Sequence, residues 1–218
     1  MKLSGAVCLV TGASSGIGRA TAVELSRRGA RVVALGRDAG RLAGIGERQV
    51  VQDLAEGVPA DLGDVDVLVN NAGIGETADV ERLVAVNLLA PIRLTRELAP
   101  RRVVFVSSIA GVVGPRHEAV YAATKAGLLA FAESLRYEGM GVSVVIPGVV
   151  ATEFFERRGA PYTRRWPRPI PPEQVARAIA DAIERERAEV FVPAWLGGVA
   201  RLRGAAPGLF RALTSRFG

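Results

Sequence analysis

The sequence predicts an α/β fold in which a parallel sheet of about seven strands carries helices on both faces. Seven short, valine-rich apolar runs are typical of strands buried on both sides. Segments with helical periodicity alternate with them, which favours parallel strands joined by right-handed crossover helices, a doubly wound, Rossmann-type sheet. The predicted strands are 7–10, 32–35, 50–52, 67–70, 103–107, 142–146 and 190–192, and the predicted helices are 16–28, 79–98, 121–138 and 172–187.

Length and composition limit the class of protein. The 218 residues fit one domain. No apolar run is long enough to span a bilayer, and the N-terminus lacks the layout of a signal peptide, so we expect a cytoplasmic protein. The lone Cys8 lies inside the first strand and is interpreted as a buried apolar residue. We identify no metal-ligand set.

The formal net charge is +6, and only Lys2 and Lys125 are lysines. We attribute most of this charge to a preference for arginine. Because no recognition motif accompanies it, we predict no nucleic-acid partner. The single interior lysine indicates a task that arginine performs poorly, such as proton handling by an amine whose pKa can move.

Two stretches depart from the alternation. Residues 153–171 are rich in Arg, Pro and aromatic residues and are predicted to form a long loop that acts as a lid. Residues 193–218 combine Gly, Arg and apolar residues and are predicted to be an appendage to a catalytic domain spanning 1–192. Such a tail suits a membrane interface, but Pro207 and nearby glycines oppose one regular helix, and packing over the pocket or against a sister subunit is favoured.

A glycine-rich turn follows the first strand and opens a helix. Gly12 permits the tight turn, Gly16 lets the backbone approach a pyrophosphate, and Gly18 allows the helix to pack close to the strand. The helix N-terminus then offers unpaired N–H groups to phosphates. The predicted contacts of this turn are Gly12, Ser14, Ser15, Gly16, Ile17 and Gly18.

The end of the second strand separates NAD from NADP. An acidic residue there holds a ribose 2′-hydroxyl, whereas an arginine accommodates a 2′-phosphate. Gly36 occupies the expected acidic position and Arg37 follows it, which favours NADP(H) over NAD(H). Two alternatives concern Asp38, which either binds the ribose or caps a short helix that begins near Ala39.

Polar residues suited to acid–base chemistry accompany this turn. Tyr121 and Lys125 lie four residues apart on one helical face, and an ammonium near a phenol lowers the pKa of that phenol. Ser107-Ser108 and Asn70-Asn71 end strands at the edge where doubly wound sheets bind ligands. Asn87 lies among apolar residues of a helix, where a purely structural role is the alternative.

Taken together, these motifs resemble the short-chain dehydrogenase/reductase family over roughly residues 4–192. The matching elements are TGASSGIG at 11–18, Asp53-Leu54, NNAG at 70–73, Asn87, VSS at 106–108, YAATK at 121–125, and Pro147-Gly148 with Thr152. Ser108 matches the catalytic serine of the family, since it lies thirteen positions before Tyr121. The segments 38–49 and 54–63 are shorter than in typical relatives.

The resemblance implies a hydride transfer between nicotinamide and a carbonyl or secondary alcohol, a small-molecule substrate. Tyr121 would be the general acid–base, Ser108 would bind the substrate oxygen, Lys125 would bind the nicotinamide ribose and lower the Tyr121 pKa, and Asn87 would hold a water of the proton relay. The other implied cofactor contacts are Asp53, Leu54, Asn71, Ala72, Gly73, Pro147, Gly148, Val150 and Thr152.

Relatives form dimers or tetramers through the helices that carry Asn87 and Tyr121, so we expect a homodimer or homotetramer, with 128, 129, 131 and 135 as either interface or core. The arginines and aromatic residues of the lid suggest an apolar substrate with an anionic end, and a solvated basic loop is the alternative. A non-catalytic NADP(H)-binding sensor or scaffold is the alternative function, which the presence of all four catalytic residue types disfavours.

Overall fold

The structure is a computed structural model that describes residues 1–159, 161–163 and 165–214. Seven parallel strands form one sheet in the order β3-β2-β1-β4-β5-β6-β7, which confirms the predicted doubly wound fold. The chain reverses its direction of strand addition between β1 and β4, the place where such sheets bind ligands. The strands are β1 (Val7–Thr11), β2 (Arg31–Gly36), β3 (Arg48–Val51), β4 (Val67–Asn70), β5 (Arg102–Val106), β6 (Gly141–Pro147) and β7 (Glu189–Val192).

Helices cover both faces of the sheet. The elements are α1 (Gly16–Arg27), α2 (Ala39–Leu42), α3 (Val80–Val84), a π-helical turn (Ala85–Leu89), α4 (Ala90–Leu98), α5 (Ala110–Val113), α6 (Ala119–Tyr137), α7 (Phe154–Arg157), α8 (Pro172–Glu184), α9 (Leu196–Ala205) and α10 (Pro207–Thr214). Among the described residues, no helix is both long and apolar enough to cross a bilayer.

The strands are buried on both sides because alternate side chains point into two cores. One core joins residues such as Val10 and Val104 to α1 and α8, and the other joins residues such as Leu9 and Phe105 to α4 and α6. Cys8 is fully buried in the first core, where desolvation raises the pKa of its thiol to about 12, as expected for an apolar role.

Several predicted boundaries were wrong. The predicted helix 79–98 is interrupted by the π-helical turn, and Asp79 precedes it as the N-cap. Pro91 explains the interruption, because it lacks the N–H that an α-helix would donate to the carbonyl of Asn87. The predicted loop 153–171 contains the one-turn helix α7, and Ile170 forms a β-bridge with Val150.

Two predictions about packing can be compared with the structure. Leu128 and Leu135 are buried in the second core, so they do not supply a subunit interface, while Phe131 packs edge-on against Phe105 at 5.7 Å. The tail forms two helices that break at Ala206, consistent with the prediction that Pro207 prevents one regular helix.

Gly18 gives a test of the packing at the start of α1. A methyl group at Gly18 would lie 2.2 Å from the Gly12 carbonyl oxygen and 2.5 Å from Asn71 Nδ2. We expect Gly18→Ala to lower the free energy of unfolding by at least about 1–3 kcal/mol, because backbone must move to admit the methyl group. Urea unfolding monitored by circular dichroism measures the change.

The matched control is Gly204→Ala within α9, where an added methyl group meets nothing within 4 Å. That substitution should leave stability unchanged or raise it by up to about 1 kcal/mol, since alanine favours a helix interior. Equal effects of the two substitutions would contradict the close approach of α1 to the glycine turn.

Candidate active site

The glycine-rich turn lies between the end of β1 and the start of α1. Gly12 and Gly16 have φ values of +68° and +52°, which favour glycine. The close contact of Gly18 with the Gly12 carbonyl lets α1 approach the strand, as the sequence predicted. No acidic residue occupies the first turn of α1, so the positive end of its dipole is available to an anion.

Thr11 and Asn71 fasten this turn to the neighbouring strand. The Thr11 hydroxyl accepts hydrogen bonds from the N–H groups of Asn71 and Ala72 at 3.0 and 2.9 Å, and Asn71 Nδ2 donates to the Thr11 carbonyl at 2.9 Å. The Asn71 side chain therefore stabilises the protein backbone itself. Thr11, fully buried at the sheet edge, was missing from the predicted site, although its position at the end of a strand was a usable signal.

The end of β2 supplies the other side of the cleft. A side chain at Gly36 would lie 3.2 Å from Ser14 Oγ, so the strand end and the glycine turn are adjacent. The Asp38 carboxylate accepts the Arg41 N–H at 3.0 Å and caps α2, which confirms the capping alternative. Arg37 is half-exposed beside this edge, and its guanidinium lies 3.9 Å from Asp53.

Asp53 is held by basic and backbone donors. Burial by itself raises its pKa, yet hydrogen bonds from the Ala55 N–H and Arg82, the latter 2.5 Å long, bring the pKa below its ordinary value. Leu54 is buried in the second core. The structure therefore places Asp53 near the cleft as a carboxylate with existing partners, and most of Leu54 inside the protein.

Ser108, Tyr121 and Lys125 meet at the carboxyl ends of β4 and β5. The Ser108 hydroxyl lies beside the Tyr121 phenol and lowers the pKa of that phenol, and Lys125 Nζ lies 5.8 Å from the centre of the Tyr121 ring. Lys125 is 4% exposed, and its Nζ donates to the Val106 carbonyl at 3.0 Å. Ser107 instead donates to the Lys125 carbonyl at 2.9 Å, so the two adjacent serines have different roles.

Burial controls the protonation of this pair. Desolvation raises the pKa of Tyr121 to about 12; the Ser108 hydrogen bond and the Arg158 charge oppose this rise, and Glu118 adds to it. Desolvation also lowers the pKa of Lys125 to about 8. The lowering of the Tyr121 pKa by Lys125 stays a prediction, because in the protein by itself Lys125 Nζ donates to the Val106 carbonyl and burial outweighs the opposing effects.

Asn87 lies in the π-helical turn and is fully buried. Its Oδ1 accepts the Ile74 N–H at 2.8 Å, and its Nδ2 donates to the Ile74 carbonyl at 2.9 Å. The side chain thus fixes the loop that follows β4, in agreement with the structural alternative. Its main-chain carbonyl lacks an α-helical donor because of Pro91.

The remaining predicted cofactor residues surround the same edge. A side chain at Gly73 would lie 3.4 Å from Lys125 Nζ, and the Gly148 N–H donates to the Val192 carbonyl at 2.9 Å. A methyl group at Gly16 would touch Thr152 at 3.0 Å, so the segment after β6 reaches the glycine turn. Ile17 and Val150 contribute to the first core, and Pro147 ends β6.

Two positions that sequence reasoning missed hold the Tyr121 helix in place. Glu76 accepts the N–H of Tyr121 at 2.8 Å at the beginning of α6. A side chain at Gly111 would lie 2.7 Å from the Lys125 carbonyl carbon, so only glycine lets α5 pack this closely on α6. Neither residue stands in a recognisable pattern, since both act on backbone that is distant in sequence.

The lid covers Tyr121 and contacts the glycine turn. The Phe154 ring lies 5.6 Å from the Tyr121 ring, and Arg158 forms a 2.5 Å ion pair with Glu118. Arg157 donates to Ser15 Oγ at 3.2 Å and forms an ion pair with Glu153. Of the lid arginines named by the sequence, Arg164 lies outside the described residues.

The residues present fit a dinucleotide cofactor. A side chain at Gly12 or Gly18 would collide with Asn71 Nδ2, at 2.9 and 2.5 Å, so only glycines let the turn lie this close to the residues after β4. The uncompensated start of α1 suits a pyrophosphate, and the adjacent ends of β1 and β2 lie where a sheet of this type binds a ribose. Gly73 and Lys125 then place a polar, close-packed floor at the carboxyl end of β4.

The buried Lys125 predicts a pH dependence of stability. Its pKa is lower in the folded protein than in the unfolded chain, so the unfolded chain binds more protons between about pH 8 and the ordinary lysine pKa near 10.5. The free energy of unfolding of the unsubstituted protein should therefore rise over this range relative to that of Lys125→Met. Urea unfolding of both proteins at several pH values measures the difference.

Lys2→Met is the matched control because Lys2, the only other lysine, is exposed. It should follow the unsubstituted protein at every pH. If the free energy of unfolding of Lys125→Met has the same pH dependence as that of the unsubstituted protein, the pKa of Lys125 is not lowered by burial.

Comparisons with known proteins agree with this geometry. The family model for short chain dehydrogenase matches residues 6–162. The 3-oxoacyl-[acyl-carrier-protein] reductase of Escherichia coli (strain K12) is 33% identical over an alignment that covers 70% of this chain and 77% of that protein.

Solved structures extend the likeness to the fold. A short-chain dehydrogenase from Sphingobium yanoikuyae in complex with NADPH is 30% identical with a TM-score of 0.80, and the match covers 94% of each chain. A short chain dehydrogenase/reductase from Burkholderia phymatum in complex with NAD is 24% identical, with a TM-score of 0.80 and 96% of each chain covered, and this likeness shows the fold alone. The chain belongs to the short-chain dehydrogenase/reductase family and is an NAD(P)-dependent oxidoreductase of CH–OH and carbonyl groups.

Proposed function

We propose that this protein is an NADP(H)-dependent reductase or dehydrogenase in which Tyr121 is the general acid–base. The observation that carries the proposal is the arrangement of the buried Tyr121 and Lys125 with the half-buried Ser108 at the sheet edge that also holds the glycine turn. A phenol that lies beside a serine hydroxyl and near a buried ammonium can pass a proton to an oxygen bound between them.

The residues of the chain divide the chemistry among them. The nicotinamide cofactor supplies or accepts the hydride. Ser108 Oγ donates a hydrogen bond to the substrate oxygen and stabilises its developing charge. In the reducing direction, the Tyr121 phenol gives its proton to that oxygen, and Lys125 Nζ stabilises the phenolate that remains. Asn87 holds a relay water through its main-chain carbonyl, since its side chain is occupied by Ile74.

Three observations support NADP(H) over NAD(H). Gly36 provides no carboxylate for a ribose 2′-hydroxyl, and Arg37 is half-exposed at the same edge. Asp38, the alternative ribose ligand, is engaged as the cap of α2. The related dehydrogenase from Sphingobium yanoikuyae was solved with NADPH.

We propose an apolar carbonyl or alcohol as the substrate. The aromatic rings of Tyr121, Phe154, Phe155 and Tyr162 follow one another at centre distances of 5.6, 5.5 and 5.3 Å and give the lid an apolar lining. The related reductase of Escherichia coli is named for a 3-oxoacyl group carried on a protein, and a 3-oxoacyl chain is an apolar carbonyl compound. An anionic end of the substrate stays a prediction, because Arg157 and Arg158 already form ion pairs with carboxylates.

Assembly and location are proposed on the same basis. We expect a homodimer or homotetramer that works in the cytoplasm, as the resemblance implied. Sedimentation velocity measures the assembly.

Tyr121→Phe tests the acid–base role. Removal of the hydroxyl should lower kcat by about 10²–10⁴-fold, the usual contribution of general acid–base catalysis, while the Kd for NADPH changes little. The assay follows nicotinamide absorbance with a panel of apolar ketones. Tyr137→Phe is the control, since Tyr137 ends the same helix and is 83% exposed. Turnover that survives in Tyr121→Phe would refute the mechanism.

Arg37→Gln tests the cofactor preference. Loss of a charge-assisted hydrogen bond to the 2′-phosphate should weaken NADPH binding by about tenfold or more and leave NADH binding nearly unchanged. Fluorescence titration with each cofactor measures the two Kd values. Arg48→Gln on β3 removes an equally exposed guanidinium and should alter neither. An equal effect on both cofactors would assign Arg37 to a contact other than the 2′-phosphate.

A further inference from the structure

The positive charge of this protein is concentrated in two segments, residues 159–171 and 190–218. They hold seven arginines and no acidic residue, whereas the rest of the chain has 21 basic and 22 acidic residues. The whole net charge of +6 therefore comes from these two stretches, which the 18 residues 172–189 separate in the sequence. A charge of one sign collected in this way attracts an anionic partner.

The fold brings the two segments together. Trp166 of the lid stacks on Trp195 at the start of α9, with ring centres 5.3 Å apart and planes inclined by 26°. Both indoles nevertheless stay open to solvent, at 70% and 45% exposure. Two tryptophans that cover each other only in part form an apolar surface which the chain itself does not bury.

Three leucines extend this surface along the tail. Leu202 follows Trp195 by seven residues, two turns along the same side of α9, and Leu209 and Leu213 lie four apart on α10. All three are exposed, so half of the ten exposed large apolar side chains found among the described residues belong to these two segments. Exposed arginines accompany them at Arg165, Arg168, Arg201 and Arg203. We call this set the basic aromatic face.

We propose that the basic aromatic face docks on the surface of an anionic lipid bilayer. Indole rings, exposed leucines and arginines without carboxylates are the composition that binds at the headgroup level, where apolar groups enter the acyl boundary and guanidinium groups meet phosphates. The sequence alone favoured packing of the tail over the pocket or against a sister subunit. The structure changes this balance because these side chains remain exposed after α9 and α10 have packed.

A second copy of the chain is a poorer occupant of this face. A two-fold symmetric interface presents the same patch from both subunits. The arginines of one copy would then face those of the other, with no carboxylate from either segment to separate them. An anionic bilayer supplies the opposite charge and an apolar phase together. The docked face includes the lid, so it would also bring the entrance of the proposed apolar-substrate site to the membrane.

The two tryptophans make a direct test available. They are the only tryptophans of the chain, so tryptophan emission, excited at wavelengths that tyrosine does not absorb, reports this face and nothing else. We expect their emission to shift to shorter wavelength with vesicles of phosphatidylglycerol and phosphatidylcholine, and to be quenched when the acyl chains are brominated. Vesicles of phosphatidylcholine alone should give little change, and raising NaCl from about 50 to 500 mM should weaken binding because salt screens charge.

Paired variants separate the face from bulk charge. Arg201→Glu/Arg203→Glu should weaken vesicle binding by at least about tenfold. Arg185→Glu/Arg187→Glu is the matched control, because it changes the net charge equally and at the same spacing. These exposed residues lie between α8 and β7, at the amino end of β7, whereas α9 follows its carboxyl end. Thermal unfolding of both variants verifies that they are folded. The fluorescence test on the unsubstituted chain does not depend on either variant.

Three outcomes would overturn the proposal. The first is an emission spectrum that anionic vesicles do not change. The second is equal weakening of binding by the two paired variants. The third is dissociation of an oligomer by Arg201→Glu/Arg203→Glu in the absence of lipid, which would assign the face to a sister subunit. None of these measurements uses turnover, so their results are independent of the proposed oxidoreductase function, which has its own assays.

Discussion

The buried ammonium of Lys125 is the constraint on which the rest of the site depends. An amine that is 4% exposed is costly to keep charged, and among the described residues its hydrogen-bond acceptor is the Val106 carbonyl. Two contacts fix the backbone of Lys125. The Ser107 hydroxyl donates to the Lys125 carbonyl, and Gly111 lets α5 lie directly on the Lys125 backbone. Strand, helix and glycine thus hold one nitrogen at the carboxyl edge of the sheet.

This arrangement explains why the acid–base pair is poised for a bound cofactor. Burial keeps the Tyr121 phenol protonated and moves the Lys125 pKa toward neutrality, so both groups are shifted toward their uncharged forms. In the proposed mechanism, a bound substrate oxygen and ribose would add polar partners that favour charge on the ammonium, and the ammonium would then favour the phenolate.

The lid and the tail connect this chemistry to the surroundings. Arg157 and Arg158 tie α7 to Ser15 of the glycine turn and to Glu118 before α6, so the segment that covers the substrate touches both the cofactor cleft and the Tyr121 helix. The arginines beyond them have a different environment, since they accompany the stacked indoles at the outer side of the same lid. An inner pair of arginines positions the lid, and an outer group faces solvent.

By itself the sequence determined the fold class and the glycine turn, and it predicted the set of Asn87, Ser108, Tyr121 and Lys125. These are encoded locally, because apolar periodicity fixes burial on strands and helices and because short spacings place residues on one face. Three boundaries were missed: the interruption of the helix before Pro91, the end of β5 before Ser107, and the one-turn helix at 154–157. Each depends on what packs beside the proline, the strand end or the single helical turn.

Only the tertiary structure decided what these side chains do to one another. The bond from the Tyr121 N–H to Glu76 spans 45 residues, and the one from Asn71 to Thr11 spans 60. The raised pKa of Tyr121 follows from desolvation, which no spacing reveals. The exposure of Trp166 and Trp195 is equally invisible in composition, since an apolar residue is buried or left open according to the neighbours that the fold supplies.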